Sequence, residues 1–151
     1  MEKAIDYLKS KKPFVLLYWV TRILMALGFI LSGIRKLPGI KFTILDASNP
    51  VGAYFQAMYD TGFYWNFIGY FQILVGVLLL FNRFKILAPV LMMPVTINIW
   101  LLSIALNMRG TPIITSLMVL GNIFLMVWHY RYYLPLLKKP KQLKREESNS
   151  Y

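Results

Sequence analysis

The sequence predicts an all-α, polytopic membrane protein: a four-transmembrane-helix bundle with a short amphipathic helix in the first outer loop. Hydrophobic residues make up 58% of the 151 residues and charged residues only 15%, which is too little charge to coat a soluble domain of this size. The charges are also segregated, leaving four stretches of just over 20 residues in which Arg22 is the only charge. About 20 apolar helical residues cross a hydrocarbon core of roughly 30 Å, so each stretch is long enough to span a membrane.

These stretches predict spans at about 13–33, 62–81, 86–106 and 111–131. The segments that join the last three spans, 82–85 and 107–110, are very short. Helices two, three and four are therefore expected to run as antiparallel neighbours.

The distribution of Lys and Arg predicts that both termini are cytoplasmic, because cytoplasmic segments of membrane proteins carry an excess of these residues. Eleven lie on one side of the predicted spans: Lys3, Lys9, Lys11, Lys12, Arg83, Lys85, Lys138, Lys139, Lys141, Lys144 and Arg145. Four lie on the other: Arg35, Lys36, Lys41 and Arg109. We therefore expect residues 1–12 to form a cytoplasmic segment and 138–151 a basic, disordered cytoplasmic tail.

The long connection between the first two spans contains one further helix signal. Asn49-Pro50 is typical of an N-cap followed by proline in the first helical turn. Apolar residues then recur at helical spacing on one face, namely Val51, Tyr54, Phe55, Met58 and Tyr59. This pattern predicts a short amphipathic helix that either lies on the outer membrane surface or caps the bundle.

Several function classes are excluded by composition. The net charge of +11 does not indicate nucleic-acid binding, because the basic residues flank apolar spans and form no groove of their own. The absence of Cys excludes disulfides, thiolate metal sites and a cysteine redox relay. A lone His129 cannot form a two-histidine heme site or a metal site. No catalytic motif is present, so whether the protein is an enzyme is left open, with a redox-associated subunit as one possibility.

Each predicted span carries one strongly polar residue near mid-depth: Arg22, Gln72, Asn98 and Asn122. Ionisable residues inside membranes are costly and normally face the bundle interior with a partner. No Asp or Glu occurs in any predicted span. Arg22 therefore needs amide oxygens, backbone carbonyls, water, headgroup phosphates or a bound anion.

Two hypotheses account for these residues. In the first, the amides are interhelical hydrogen-bonding groups and Arg22 extends toward the inner headgroups. In the second, they form a polar pocket with a cationic floor, suited to a quinone oxygen, a carboxylate or another small anion. Lys36 shares a helix face with Arg22, about 21 Å further along the axis. The candidate ligand-binding residues are Arg22, Lys36, Gln72, Asn98 and Asn122.

Motifs in three spans resemble those of the DoxX-like family of small four-helix bacterial membrane proteins. The first span has Arg22, Gly28, Ser32-Gly33 and Lys36-Leu37 in that family's order. The second follows a Thr61-Gly62 turn with Ile68-Gly69, Gln72 and Gly76, and the third has Pro94-Val95 and Asn98. The resemblance covers roughly residues 14–137, within a membrane domain placed at 13–137.

The resemblance implies a four-helix bundle in the bacterial cytoplasmic (inner) membrane. Some relatives are linked to the quinone-reactive subunit of a thiosulfate-oxidising enzyme, or to membrane redox and oxidative-stress complexes. This chain departs from them in having no Cys, and Gln at position 72 where Glu is expected in many relatives. That substitution removes the obvious counter-ion for Arg22.

The function expected from these observations is a subunit or accessory of a membrane assembly that binds quinone or lipid in a polar intramembrane pocket. One alternative is the membrane subunit of a quinone-dependent oxidoreductase with a soluble partner, and another is a small-solute transporter. The expected partners are the lipid bilayer, a membrane or soluble protein, or a second copy of the chain. No heme or metal site is evident.

Overall fold

A computed structural model describes residue 7 and residues 9–137. Its helices are α1 (Lys12–Ile34), α2 (Pro50–Asp60), α3 (Phe63–Leu80), α4 (Leu87–Ala105), α5 (Thr111–Trp128) and the single turn α6 (Leu134–Leu137), with 3₁₀ turns at Asn82–Phe84 and Tyr130–Tyr132. Of these, α1, α3, α4 and α5 are long and apolar enough to cross a membrane. The predicted all-α, four-helix membrane bundle is therefore confirmed. The basic tail predicted at 138–151 and most of the N-terminal segment lie outside the described residues.

The four long helices agree with the predicted spans except at the end of the fourth. There α5 ends at Trp128, three residues before the predicted boundary. The chain then tightens into a 3₁₀ turn, and the Tyr133 hydroxyl donates a hydrogen bond to the Ile86 carbonyl oxygen at 2.5 Å. This bond ties the segment after α5 to the start of α4.

The long helices form an up-down-up-down bundle in which α1 packs against α3 and α5, and α4 lies between α3 and α5. The closest approach is between α1 and α3. A Cβ added at Gly33 would lie 2.6 Å from the Gly69 carbonyl oxygen, and one added at Gly76 would lie 2.9 Å from the Ala26 carbonyl oxygen. Glycines therefore bring these two backbones into direct contact, as small residues do between membrane helices.

The bundle has two ends that differ in structure. The end where α1 finishes and α3 begins carries the loop 35–49 and α2, and is called the loop end below. The opposite end, where α3 finishes and α4 begins, is called the tail end. Within each span at most a third of the residues are buried inside the bundle, so most of each helix surface is left for lipid.

At the loop end, α2 forms as the sequence predicts. The Asn49 side chain accepts a hydrogen bond from the Val51 N–H at 2.9 Å, which caps the helix. The apolar face of α2 turns toward the bundle, where Phe55 is buried, stacks on Phe42 at 4.3 Å and meets Trp65 edge-on at 5.9 Å. The helix therefore covers the end of the bundle, one of the two positions expected for it.

Candidate functional site

A cavity of about 220 Å³ lies between α2 and the loop-end halves of α1, α3 and α4. Its walls are mainly apolar and aromatic, with a small set of polar side chains. The polar and aromatic lining residues are Ser32, Lys36, Phe42, Tyr54, Phe55, Tyr64, Trp65, Gln72, Asn98, Ser103 and Thr111. Apolar walls with a few placed polar groups are typical of small-molecule sites.

Lys36 supplies the one cation among the lining residues. It lies just beyond the C-terminal end of α1, yet its side chain is buried. Its Nζ donates hydrogen bonds to the Ser32 carbonyl oxygen at 3.0 Å and to the Ser32 Oγ at 2.8 Å. The ammonium also lies 4.7 Å from the Phe42 ring centroid and 5.2 Å from that of Trp65, a cation–π arrangement. Because burial disfavours the charged form, the pKa of Lys36 is lowered from 10.5 to about 8.

Two buried donors in the same walls lack a protein partner. Gln72 is fully buried and Trp65 is 3% exposed, but neither Gln72 Nε2 nor Trp65 Nε1 makes a hydrogen bond within the described chain. Gln72 Oε1 accepts only one long bond, from Ser32 Oγ at 3.5 Å. Buried N–H groups are rarely left unpaired in proteins, so two on residues that line the same cavity indicate a missing acceptor.

Asn98 lines the cavity from α4 but differs from the other amides because its side chain is exposed. It lies on the apolar outer surface of α4, close to Ile97 and Leu101, which are also exposed. This residue therefore marks a place where the cavity reaches the outer surface of the bundle.

Arg22 lies outside this cavity and is directed to the tail end. It is 1% exposed. Its Nε donates to the Leu79 carbonyl oxygen at 2.6 Å and its Nη1 to Asn82 Oδ1 at 2.6 Å. The last four carbonyls of a helix have no intrahelical partner and carry its negative partial charge. Arg22 therefore caps α3, and a backbone carbonyl and an amide oxygen accept hydrogen bonds from two of its three nitrogens. Only its Nη2 is buried without a partner.

Asn122 also lies outside the cavity, in the contact between α5 and α4. Because amide O and N atoms are assigned from their hydrogen bonds, the favoured orientation is the one in which Nδ2 donates to the Pro89 carbonyl at 3.1 Å and Oδ1 accepts from the Met93 N–H at 3.1 Å. The opposite orientation leaves only longer contacts, to Thr96 Oγ1 at 3.5 Å and Met93 Sδ at 3.8 Å. Pro89 O and Met93 N would bond to each other in a regular α-helix. The Asn122 amide bridges them just before Pro94, a residue expected to disturb the helix.

Of the five residues singled out in the sequence, Lys36, Gln72 and Asn98 thus line one cavity, whereas Arg22 and Asn122 serve contacts elsewhere. The sequence does not identify Trp65 as a cavity residue, because a Trp near the end of an apolar span is typical of the membrane interface. Ser32 could be identified as a polar residue on the helix face that Arg22 and Lys36 share. Among the described residues no group of three or more His, Cys, Asp or Glu is placed to hold a metal ion.

A second polar cluster lies at the tail end. His129 Nε2 and the Tyr18 hydroxyl are 3.0 Å apart, and the Tyr18 ring stacks on Trp128 with centroids 5.1 Å apart. His129 thus joins α1 to the end of α5 and has a protein partner for its Nε2.

Comparison with protein-family models, with curated protein sequences and with solved structures gives no match for this chain. The DoxX-like resemblance therefore rests on the motifs in the sequence.

Proposed function

We propose that this integral membrane protein is a binding subunit or accessory of a membrane assembly, and that its cavity holds an isoprenoid quinone or a lipid through oxygen atoms on the ligand's head group. The observation that carries the proposal is the pair of buried, unpartnered donors, Trp65 Nε1 and Gln72 Nε2, on two residues that line one cavity. Each buried donor without a partner costs about 1–3 kcal/mol. A ligand oxygen that accepts from either donor recovers that cost.

The positive charge in the cavity favours a ligand with an electron-rich head group. Among the described residues that line the cavity, Lys36 is the one cation and none carries a carboxylate. A quinone carbonyl, a carboxylate and a phosphate are all chemically suited to walls whose residues carry one ammonium and two unpaired N–H donors. A cationic ligand would meet repulsion from Lys36 without any compensating anion.

The apolar composition of the cavity walls favours an amphipathic ligand. Phe42, Phe55 and Trp65 form an aromatic cluster at the loop end, and Ile68, Val95 and Ile99 continue the lining toward mid-membrane. A planar ring or an acyl segment contacts such walls favourably, because burial of apolar surface contributes about 25 cal/mol per Å².

We also propose that the protein lies in a bacterial cytoplasmic membrane with both termini in the cytoplasm, as a DoxX-like relative. The charge asymmetry of the sequence supports this orientation. A reporter fused after Tyr151 that is active only in the cytoplasm tests it, and activity of a periplasmic reporter at that position contradicts it.

The experiment that tests binding combines ligand identification with a matched pair of variants. The protein is extracted with a mild detergent, and co-purifying lipid-soluble molecules are identified by mass spectrometry. Trp65→Phe keeps an aromatic ring but removes the unpaired donor. Trp100→Phe is the control, because Trp100 Nε1 donates to Ser116 Oγ at 2.8 Å outside the cavity lining.

We expect a quinone or a lipid in stoichiometric amount, bound about tenfold more weakly by Trp65→Phe, as the loss of roughly 1.4 kcal/mol implies, and unchanged in Trp100→Phe. Equal affinity in the two variants, or no co-purifying ligand, contradicts the proposal. A quinone is the ligand that the hypothesis of an oxidoreductase membrane subunit needs, so a lipid in the cavity argues against that hypothesis.

A further inference from the structure

Aromatic side chains pack together at the loop end of the cavity. Phe42 lies between Phe55 of α2 and Trp65 of α3, with ring centroids 4.3 Å and 5.7 Å away. Phe55 is 8% exposed and Trp65 3% exposed. A ligand entering from the water above α2 would have to part this cluster.

On one side the cavity lies between α3 and α4. These two helices are neighbours in the bundle. They are joined at the tail end, by the short segment 81–86, whereas the cavity lies at the loop end. Gln72 lines it from α3 and Val95, Asn98, Ile99 and Leu102 line it from α4.

The position of Asn98 indicates that this side of the cavity faces the bilayer. It is seven residues before the end of α4, which places it about 10 Å below the loop end at 1.5 Å per residue. In a helix that spans a membrane this depth lies inside the hydrocarbon region, where the exposed side chains of Ile97 and Leu101 would contact lipid. The Asn98 side chain makes no hydrogen bond within the described chain, although a polar group facing lipid is costly.

Resting on the proposed function, we infer that the ligand enters sideways from the bilayer between α3 and α4, and that it is a membrane-dissolved amphipath. Its acceptor head reaches Gln72 and Trp65, and its apolar tail passes Asn98 into the lipid. The cavity of about 220 Å³ is below the usual range of roughly 300–1,000 Å³ for whole-ligand pockets, so it holds the head and leaves the tail outside.

The first test blocks the opening. Asn98→Trp places a bulky side chain there, and Leu101→Trp places the same side chain on the lipid face of α4 outside the cavity lining. Binding is measured in nanodiscs for a benzoquinone with a decyl tail and for the same ring without a tail. Should the co-purified molecule be a lipid, its long-chain and short-chain forms replace this pair.

We expect Asn98→Trp to weaken binding of the tailed ligand at least tenfold, while the tail-less ring changes less than twofold and Leu101→Trp changes neither. Equal loss of both ligands means that position 98 serves the head group and overturns the inference. Unchanged binding of both overturns it too. In that last case the proposed function stands, because it is tested separately, by co-purification with the unmodified protein and by the comparison of Trp65→Phe with Trp100→Phe.

The second test measures whether the opening faces lipid or water. Because this chain contains no Cys, one introduced Cys can be labelled selectively. A nitroxide is attached to Asn98→Cys and, as a control, to Leu101→Cys. We expect both labels to collide with lipid-soluble oxygen rather than with a water-soluble nickel chelate. The tailed benzoquinone should reduce oxygen collisions at position 98 only. Dominant nickel collisions at position 98 would show an opening to water and overturn lateral entry.

Discussion

Arg22 and Leu79 are joined by a 2.6 Å hydrogen bond from the guanidinium Nε to the backbone carbonyl oxygen, across 57 residues of sequence. Together with the bond from Nη1 to Asn82 Oδ1, it uses an intramembrane cation to cap the C-terminal end of α3. The cation that the sequence leaves without an acidic partner is thus hydrogen-bonded by groups with no net charge.

Arg22→Met should therefore reduce stability and leave ligand binding intact. Hydrogen bonds to charged groups contribute about 1.5–3 kcal/mol, so we expect a loss of that size in the free energy of unfolding, measured in detergent or lipid mixtures. Asn82→Ala should cost less, because Asn82 is exposed and water can replace it. In the double variant the two losses should be less than additive. A ligand lost from Arg22→Met protein that remains folded would contradict this assignment.

Asn122→Leu should destabilise the contact between α4 and α5 because it removes the bridge between Pro89 O and Met93 N. The expected cost is about 1–3 kcal/mol. In a Pro94→Ala background the helix regains its regular hydrogen bonds, so the same Asn122→Leu change should cost less. A double-mutant cycle measures this difference, and a coupling energy near zero would show that the amide does not act at the proline.

Because of Lys36, the stability of the empty protein should rise with pH, whereas its affinity for an anionic ligand should fall. Burial lowers the pKa of Lys36 from its ordinary value of 10.5 to about 8. Below pH 8 the folded protein bears the free-energy cost of a buried charge, and that cost is lost as the pH rises toward 10.5. The stability of the empty protein should therefore rise between pH 8 and 10, relative to Lys36→Met.

Affinity for an anionic ligand such as palmitate should fall over the same range, because the bound anion favours the charged ammonium. The other ionisable groups lining the cavity are the phenols of Tyr54 and Tyr64, and burial raises the pKa of Tyr54. Lys41→Met, an exposed lysine on the same loop, serves as the control. A pH profile of the unmodified protein that matches that of Lys36→Met would show that Lys36 does not control binding.

Substitution by alanine should affect stability differently at two glycines of α1. At Gly33 the new Cβ would lie 2.6 Å from the Gly69 carbonyl oxygen, which is backbone and cannot move alone, so we expect a loss of about 1–3 kcal/mol. At Gly28 the nearest atom is Met118 Cε at 4.0 Å, so alanine should be neutral or stabilising by up to about 1 kcal/mol. Thermal unfolding of both variants measures the contrast, and similar midpoints would argue against the close contact of α1 with α3.

Much of the fold was predictable because its signals are local. The four stretches in which Arg22 is the only charge predict the spans to within three residues, and the Asn49-Pro50 cap with its apolar spacing predicts α2. The site was only partly predictable. Asn98 and Asn122 are both amides near the middle of apolar helices, yet one is exposed beside the cavity and the other bridges a helix backbone. Nothing in their local sequence distinguishes these outcomes.

The sequence by itself determined that four helices cross a membrane and that each carries one strongly polar residue near mid-depth. Tertiary structure decided which polar groups meet. Arg22 and Lys36 share one face of α1 but serve opposite ends of the bundle, because the first reaches the C-terminal end of α3 and the second turns into the aromatic cluster under α2. The physical reason is that helices apolar on every side carry no amphipathic signal for the face that packs. Close backbone contacts such as that of Gly33 with Gly69 set this rotation, and they appear only when the helices are assembled.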